Sequence, residues 1–410
     1  MRRVVISGLG AVSALGIGVP ALWDGLAAGR SGIRRVSVCE TTELTNPIAA
    51  EVPAFDPAAF LTPGDLLLLD RFSAMALVAA GEAWIGAGLE LTDQERERTG
   101  VLIGTGMGGA ERQDDAYHDL YDKRRGKSRP HPFTIPRIMC NAASSLVSMK
   151  YHLEGPTLCI STACSSGTHA IGEAAEMIRS GRADVMVAGG AEAPIVQGVV
   201  RAWEGLRVLA PAGDDPASAC RPFSADRRGL VLGEGAGIVV LEERERAVRR
   251  GAVLHAEVVG YGATADGGHL TTPGVAQPVR AIRQALAQAG LAPDQIDYVN
   301  AHGTATRLND ATETTILKHV FAEHARKLAI SSTKSMHGHA LGASGAIELV
   351  ATLMTIERGV VPPTANYRTP DPECDLDYVP NEAREMRVDA AISNSFAFGG
   401  LNAVLAIRRA

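Results

Sequence analysis

The chain has 410 residues, of which 46% are hydrophobic, 21% charged and only 4% aromatic, with 44 glycines and a formal net charge of −6 at pH 7. That is the composition of a globular protein with a large Ala/Val/Leu/Ile core and many tight turns, and it excludes a disordered chain. The negative balance excludes general nucleic-acid binding, which needs a basic surface to neutralise phosphate, so an acidic partner would have to meet a local basic patch.

The chain opens with MRRVVISGLGAVSALG, whose apolar stretch is too short and too rich in glycine to span a membrane and carries no cleavage-site pattern; it reads as a first strand. A helix follows in DRFSAMALVAAGEAWIGAGL, then the strand GVLIGTG, the helix SSGTHAIGEAAEMIRSG, and the strands ADVMVAGG, GIVVLE and AEVVGYG. QPVRAIRQALAQAG is a further helix, IDYVNAHG and KLAISSTKS are strands, GASGAIELVATLMTIERG is a helix, and AAISNSFAFGG is the last strand read. The alternation predicts an α/β protein with a mainly parallel sheet, whose ligands gather beyond the carboxyl ends of the strands. The charged run EERERAVRRGA divides the chain into expected halves of residues 1–250 and 251–410. A weak echo joins them, since His169-Ala170-Ile171-Gly172 follows one strand and His339-Ala340-Leu341-Gly342 another.

Six cysteines, at positions 39, 140, 159, 164, 220 and 374, show no C-x-x-C pair, which argues against disulfides or structural zinc and for a reducing cytoplasm. Cys164 stands where a strand ends and a helix begins, in TACSSG; the helix dipole and free N–H groups there favour thiolate, so it is the candidate nucleophile. Cys140, Cys159 and Cys374 are read as inert packing residues. His302 ends the strand in VNAHGTATRLND and is followed by Thr304 and Thr306, while SSTKSMHGHALGASGAIE brings Lys334, His337, His339 and Glu348 together. One cysteine with two loop histidines suits acyl transfer or a metal; the metal reading is the poorer one, because no HxxxH helix with a nearby acidic ligand occurs. His152, His169, His255 and His319 are read as structural. Phe398-Gly399-Gly400 forms a turn able to supply one oxyanion-hole N–H, the other being that of Cys164. GTGMGG lacks the fingerprint of a dinucleotide site.

Taken in order, TACSSG, NAHGTATRLND, SSTKSMHGHALGASGAIE and NSFAFGGLN resemble the elongating β-ketoacyl-acyl-carrier-protein synthases of the thiolase-like superfamily over essentially the whole chain. The resemblance implies a thiolase fold of two duplicated halves in five αβαβα layers with mixed sheets, and an obligate dimer. It implies that Cys164 accepts the acyl group, that His302 and His339 decarboxylate a malonyl thioester, that Lys334 and Glu348 support them, and that Cys164 and Phe398 supply the oxyanion hole. Thr304 and Thr306 would bind the pantetheine arm, Met107 would gate the acyl pocket, and Phe396, Gly399 and Gly400 would complete the substrate wall. Substrates would ride on the 4′-phosphopantetheine of an acyl carrier protein, with no other cofactor and no metal.

The two histidines set the chain apart from initiating synthases, which use histidine and asparagine, and from degradative thiolases, which use a second cysteine. The cysteine sets it apart from chain-length-factor subunits. Two departures bear on the pathway. Leu66 to Leu69 replace a basic carrier-docking cluster, exposing this segment to another carrier or a subunit; Lys123, Arg124, Arg125, Lys127, Arg129 and Arg207 are the remaining docking candidates. CSSG and GTATRLND look closer to polyketide-type synthases, so a type II polyketide or specialised fatty acid role, as a homodimer or beside a related subunit, is expected ahead of housekeeping elongation. A scaffold subunit or a non-condensing acyltransferase is the rival of another class.

Overall fold

The computed structural model describes residues 2–121 and 131–410. The amino-terminal half contributes β1 (Val4–Ser13), α1 (Arg71–Ala87), β2 (Thr99–Gly104), α2 (Ala142–Tyr151), β3 (Thr157–Ile160), α3 (Ser166–Arg179), β4 (Val185–Glu192), α4 (Gln197–Gly205) and β5 (Gly235–Glu243). The carboxyl-terminal half contributes β6 (Ala256–Ala265), α5 (Ala276–Ala289), β7 (Tyr298–Asn300), α6 (Arg307–Phe321), β8 (Ala329–Ser331), α7 (Ser344–Arg358), β9 (Ala390–Ala397) and β10 (Leu401–Arg408). Every strand and helix read from the sequence is present.

The strands are hydrogen-bonded in the order β8-β7-β9-β10-β6-β1-β5-β4-β2-β3. Each half repeats one topology, because β3-β2-β4-β5-β1 and β8-β7-β9-β10-β6 are the same order five strands apart, with parallel and antiparallel pairings in the same places. The two meet at a short antiparallel contact, Val5 opposite Glu257 and Ile6 opposite Ala256. The duplication also shows in packing. A Cβ on Gly10 of β1 would stand 1.9 Å from the carbonyl oxygen of Ala79 in α1, and one on Gly262 of β6 would stand 1.9 Å from that of Ala281 in α5. In each half a G-x-G pair lets the first helix lie directly on the first strand.

The sheet is mixed, not mainly parallel as the βα alternation suggested. Only β2 with β3 and β4, and β7 with β8 and β9, run parallel. One cause is the turn at Phe398-Gly399-Gly400, which the sequence reading took as the end of the last strand. It is a hairpin that leads into β10, and so short a connection can only join antiparallel strands.

Five layers result. α1 and α2 cover the outside of the first half-sheet, α5 and α6 the outside of the second, and α3 and α7 lie between, touching strands of both. Helices on both faces explain why β1, β2, β4 and β9 are buried along their whole length, a burial that in β9 takes in the polar Ser393, Asn394 and Ser395 as well. The charged run at the divide is structural: Glu242 is fully buried and held by Ser7, Arg246 and Arg250. Among the described residues no helix is long and apolar enough to cross a membrane.

Gly10→Ala and Gly262→Ala should each destabilise the protein by about 1–3 kcal/mol, as overpacking does. Gly268→Ala, with nothing within 4 Å of the added carbon, should change little. Thermal unfolding of the three variants checks this; equal melting temperatures for all three would contradict the packing described.

Candidate active site

Four carboxyl-terminal strand ends converge on one cavity of about 300 Å3, whose wall includes Cys164, His302, His339, Thr304, Thr306, Phe396, Phe398 and Gly400. Cys164 follows β3 and sits in a single 3-10 turn, Ala163–Ser165, that runs into α3. Ala163 adopts φ +52°, a left-handed conformation unusual for a residue with a Cβ, so the chain turns sharply where it presents the thiol. The Cys164 side chain is buried, and the backbone N–H groups of Phe398 and of Cys164 itself favour its thiolate form.

The sequence suggested a thiol biased toward thiolate, and the structure corrects this. Burial pushes the Cys164 thiol up to about 11, outweighing Lys334 and the two N–H groups. Cys164 also precedes the helix proper, so the dipole acts on it less directly. Cys164 therefore rests as a protonated thiol, and any attack by its sulfur requires that proton to leave.

His302 follows β7 and His339 follows β8; both are buried, and their rings meet edge to face with centroids 5.5 Å apart. Burial first, and then the charge of Lys334, holds both histidines well below the usual value, so both are neutral at physiological pH. Lys334 Nζ lies 3.4 Å from His302 Nδ1 and donates to the His302 carbonyl at 2.7 Å. An ammonium has only donors, so His302 Nδ1 must be the acceptor and the ring proton resides on Nε2. His339 Nδ1 is engaged by the Ser344 hydroxyl at 2.9 Å; with the hydroxyl as donor, the ring proton lies on Nε2. Lys334 is fully buried and bonded to the equally buried Glu348, which balances its charge.

Thr304 and Thr306 share a hydroxyl contact of 2.9 Å on the cavity wall, and Thr306 also caps α6. Phe396 packs edge to face on His302, centroids 6.2 Å apart. Not every expected site residue joins them. Met107 lies off the cavity wall and is 37% exposed, because Glu192 holds its loop by the backbone. Gly399 is exposed, its N–H bonded to Leu270 O at 2.7 Å, and Gly400 alone of the pair reaches the wall. His337 turns its Nε2 to Thr333 and is pushed down to about 3 by burial, outside the cavity. Arg207 is exposed at the mouth between two wall residues, Leu206 and Val208. Lys123, Arg124, Arg125, Lys127 and Arg129 fall outside the described residues. In the leucine run Leu69 is buried and only Leu67 is well exposed, because this segment packs beneath α1. Of the cysteines read as packing residues Cys374 is buried, Cys159 is half-buried on β3, and Cys140 is exposed.

The sequence reading missed two buried carboxylates. Glu313 accepts from the backbone N–H groups of His302 at 2.9 Å and Gly303 at 2.8 Å, fixing the histidine loop. Its signal was present: Asp310, Glu313, Leu317 and Val320 fall on one face of α6, so the acids lie in phase with the core. Glu192, at the end of β4, accepts from Gly106, Met107 and Gly342 N–H and from the Thr105 hydroxyl, tying the GTGMGG loop to the turn after His339.

The arrangement supplies a thiol, two N–H donors for an oxyanion beside it, and two neutral imidazoles whose Nε2–H groups can stabilise a second developing negative charge. Residues 1–247 match the model of the beta-ketoacyl synthase N-terminal domain and residues 255–368 that of its C-terminal domain; the chain belongs to the β-ketoacyl synthase family, condensing acyltransferases with the thiolase fold. It is 48% identical over 408 residues to nodulation protein E of Rhizobium sp. (strain N33), covering 100% of this chain and 99% of that protein. It is 44% identical over 410 residues to 3-oxoacyl-[acyl-carrier-protein] synthase 2 of Coxiella burnetii, covering 100% and 99%. Among solved structures it is similar to the AntDE ketosynthase, determined in complex with its type II polyketide acyl-carrier protein AntF and bound to the hexaketide, with a TM-score of 0.91, 34% identity and 100% and 99% of the two chains covered.

The state of the thiol is testable. Because burial raises Cys164 to about 11, its alkylation by iodoacetamide, followed by peptide mass spectrometry, should keep accelerating above about pH 9. A rate that levels off below about pH 8 would mean a thiolate at rest.

Proposed function

We propose that this chain catalyses decarboxylative Claisen condensation between an acyl group on Cys164 and a malonyl thioester, both delivered on the 4′-phosphopantetheine of an acyl carrier protein, in specialised fatty acid or type II polyketide synthesis. The observation that carries this is the shared cavity: Cys164 Sγ under two N–H groups, facing two neutral histidines.

In the first step Sγ attacks the acyl thioester and its carbon–sulfur bond forms, the oxyanion resting on the N–H groups of Cys164 and Phe398; on collapse the carbon–sulfur bond to pantetheine breaks and the departing pantetheine sulfur takes up the proton that Sγ gives up. In the second step the malonyl thioester binds with its carbonyl toward His302 and His339. CO2 leaves with its bonding electrons left behind, and the resulting enolate oxygen is held by the two Nε2–H groups. The enolate carbon attacks the Cys164 thioester, the oxyanion collapses, and the cysteine leaves as a thiol after regaining a proton. Lys334 and Glu348 do not touch substrate in this scheme; they keep the imidazoles neutral and correctly oriented. Thr304 and Thr306 hold the amide groups of the arm.

The chain works beside a second ketosynthase-like chain, a copy of itself or a related subunit. Among the described residues strand β3 ends the sheet with one edge open, and Leu158, Met139, Cys140 and Met107 are exposed near it. The loop of Met107 touches residues 138–140 through Gly109 N–H to Ile138 O, and Ser144 of α2 bonds Leu158 O. An open strand edge with apolar neighbours is one that natural proteins cover. In such a pair Met107 would be buried at the far end of the acyl chamber. Housekeeping elongation is the second reading, favoured by the 44% identity to a synthase 2.

The test is intact mass spectrometry after mixing the protein with an acyl-carrier protein and then malonyl-carrier protein. Expected are an acyl adduct absent from Cys164→Ala, release of CO2, and a lengthened β-ketoacyl carrier; a panel of acyl lengths separates the two pathways. His302→Ala and His339→Ala should still form the adduct but lose CO2 release by about 10²–10³-fold, the usual cost of one oxyanion donor. An adduct with malonyl carrier left unchanged would overturn condensation.

A further inference from the structure

We infer that Ser166 and His169 are positioning residues for the acylation of Cys164: they clamp the turn that precedes α3, so that the Cys164 N–H is aimed at the place where an oxyanion forms. The inference rests on the condensing function proposed above and adds two residues that touch no substrate.

The turn is one that the backbone alone would not hold. Ala163 has φ +52°, a conformation that a residue with a Cβ keeps only where its surroundings fix it. Ser166, fully buried, closes the neck of the turn. Its hydroxyl accepts from the Thr162 N–H at 2.9 Å and donates to the Ala163 carbonyl at 2.6 Å. That carbonyl shares one planar trans peptide with the Cys164 N–H, so drawing the oxygen toward Ser166 sends the N–H the opposite way.

His169, about one turn further along α3, holds the other side. Its Nδ1 lies 3.0 Å from the Thr162 hydroxyl and 3.1 Å from the Ser165 carbonyl. A carbonyl only accepts, so Nδ1 bears the ring proton, and its N–H is shared between residues on either side of Cys164. The ring is itself fixed from the second half of the chain. It meets Tyr261 of β6 edge to face with centroids 6.3 Å apart, and Tyr261 lies so close to α3 that a Cβ on Gly172 would stand 2.3 Å from it. Burial holds His169 below the ordinary histidine value, and protonation would occur at Nε2, so the Nδ1–H contacts persist in either state.

The duplication supplies an internal comparison. The second half has the same turn: a 3-10 segment, Leu341–Ala343, opens on a residue at φ +43° and runs into α7 at Ser344, as Ala163–Ser165 runs into α3 at Ser166. In that register Gly342 stands for Cys164, Ser344 for Ser166 and Ile347 for His169. Where there is no thiol, the histidine is replaced by a core isoleucine and the serine hydroxyl turns to His339 instead. The fold therefore does not require the clamp; the half that carries Cys164 has it. The sequence reading takes His169 as structural, and the structure gives its N–H to the turn that presents the thiol.

The experiment follows octanoyl transfer from an acyl carrier protein to Cys164 by intact mass spectrometry, beside alkylation of the same thiol by iodoacetamide, which passes through no oxyanion. Ser166→Ala and His169→Leu should each slow octanoyl transfer at saturating carrier by about tenfold or more, while the KM for the carrier stays within about twofold and alkylation within about threefold. His169→Asn, whose amide N–H can stand where the Nδ1–H stood, should recover most of the rate without the ring. Variants that accept octanoyl as fast as the native protein, that lose transfer and alkylation equally, or that do not separate Asn from Leu at position 169 would overturn the clamp and leave condensation intact. Transfer that responds as expected while malonyl carrier stays unchanged would overturn condensation and keep the clamp. No transfer to the native protein from any carrier would overturn both.

Discussion

One ammonium group organises the site. Lys334 is fully buried between the His302 ring, the His302 carbonyl and Glu348, and each contact sets something the chemistry needs. As a pure donor beside Nδ1 it dictates which ring nitrogen of His302 carries the proton. As a positive charge it opposes protonation of both His302 and His339, adding to what burial does. A buried cation is tolerable only when paired, and Glu348 on α7 is the partner, so the helix between the two sheets and the loop after β8 cannot move independently.

Duplication explains how so few residues are held so firmly. Cys164 comes from the first half, His302 and His339 from the second, and the two N–H groups beside the thiol from one of each. None of these groups is local to another in sequence. What brings them together is a pair of identical topologies sharing a central helical layer, where Gly167 on α3 packs against Ala346 on α7 with no room for a Cβ. Glu192 and Glu313 then pin the loops by backbone N–H groups, so the site's geometry depends on main-chain contacts more than on flexible side chains.

Much of this was legible in the sequence, for identifiable reasons. Strands buried on both faces give continuous apolar runs, and the reacting residues sit where those runs stop. Cys164, His302, Lys334, His339 and Phe398 could be read from strand ends and glycine turns together with a family resemblance. Other features depend on distance in three dimensions. The G-x-G pairs at Gly8-Gly10 and Gly260-Gly262 were visible as letters, but their meaning appears only when α1 and α5 lie on them. The high thiol value of Cys164 follows from burial, which a helix-start argument does not see. The direction of β10 followed from a hairpin read as a terminus, and Glu313 was hidden in a polar helix face whose phase matched the core.

The claim on which the mechanism turns is that His302 and His339 are neutral and bear their protons on Nε2. Nitrogen-detected NMR of protein labelled with 15N-histidine, with His302→Gln and His339→Gln used to assign the two rings among the 11 histidines, reads tautomer and charge directly. The account predicts neutral Nε2–H signals for both from about pH 8 down to about pH 5, below the ordinary histidine midpoint. Titration of either ring near that midpoint, or an Nδ1–H signal for His302, would contradict it.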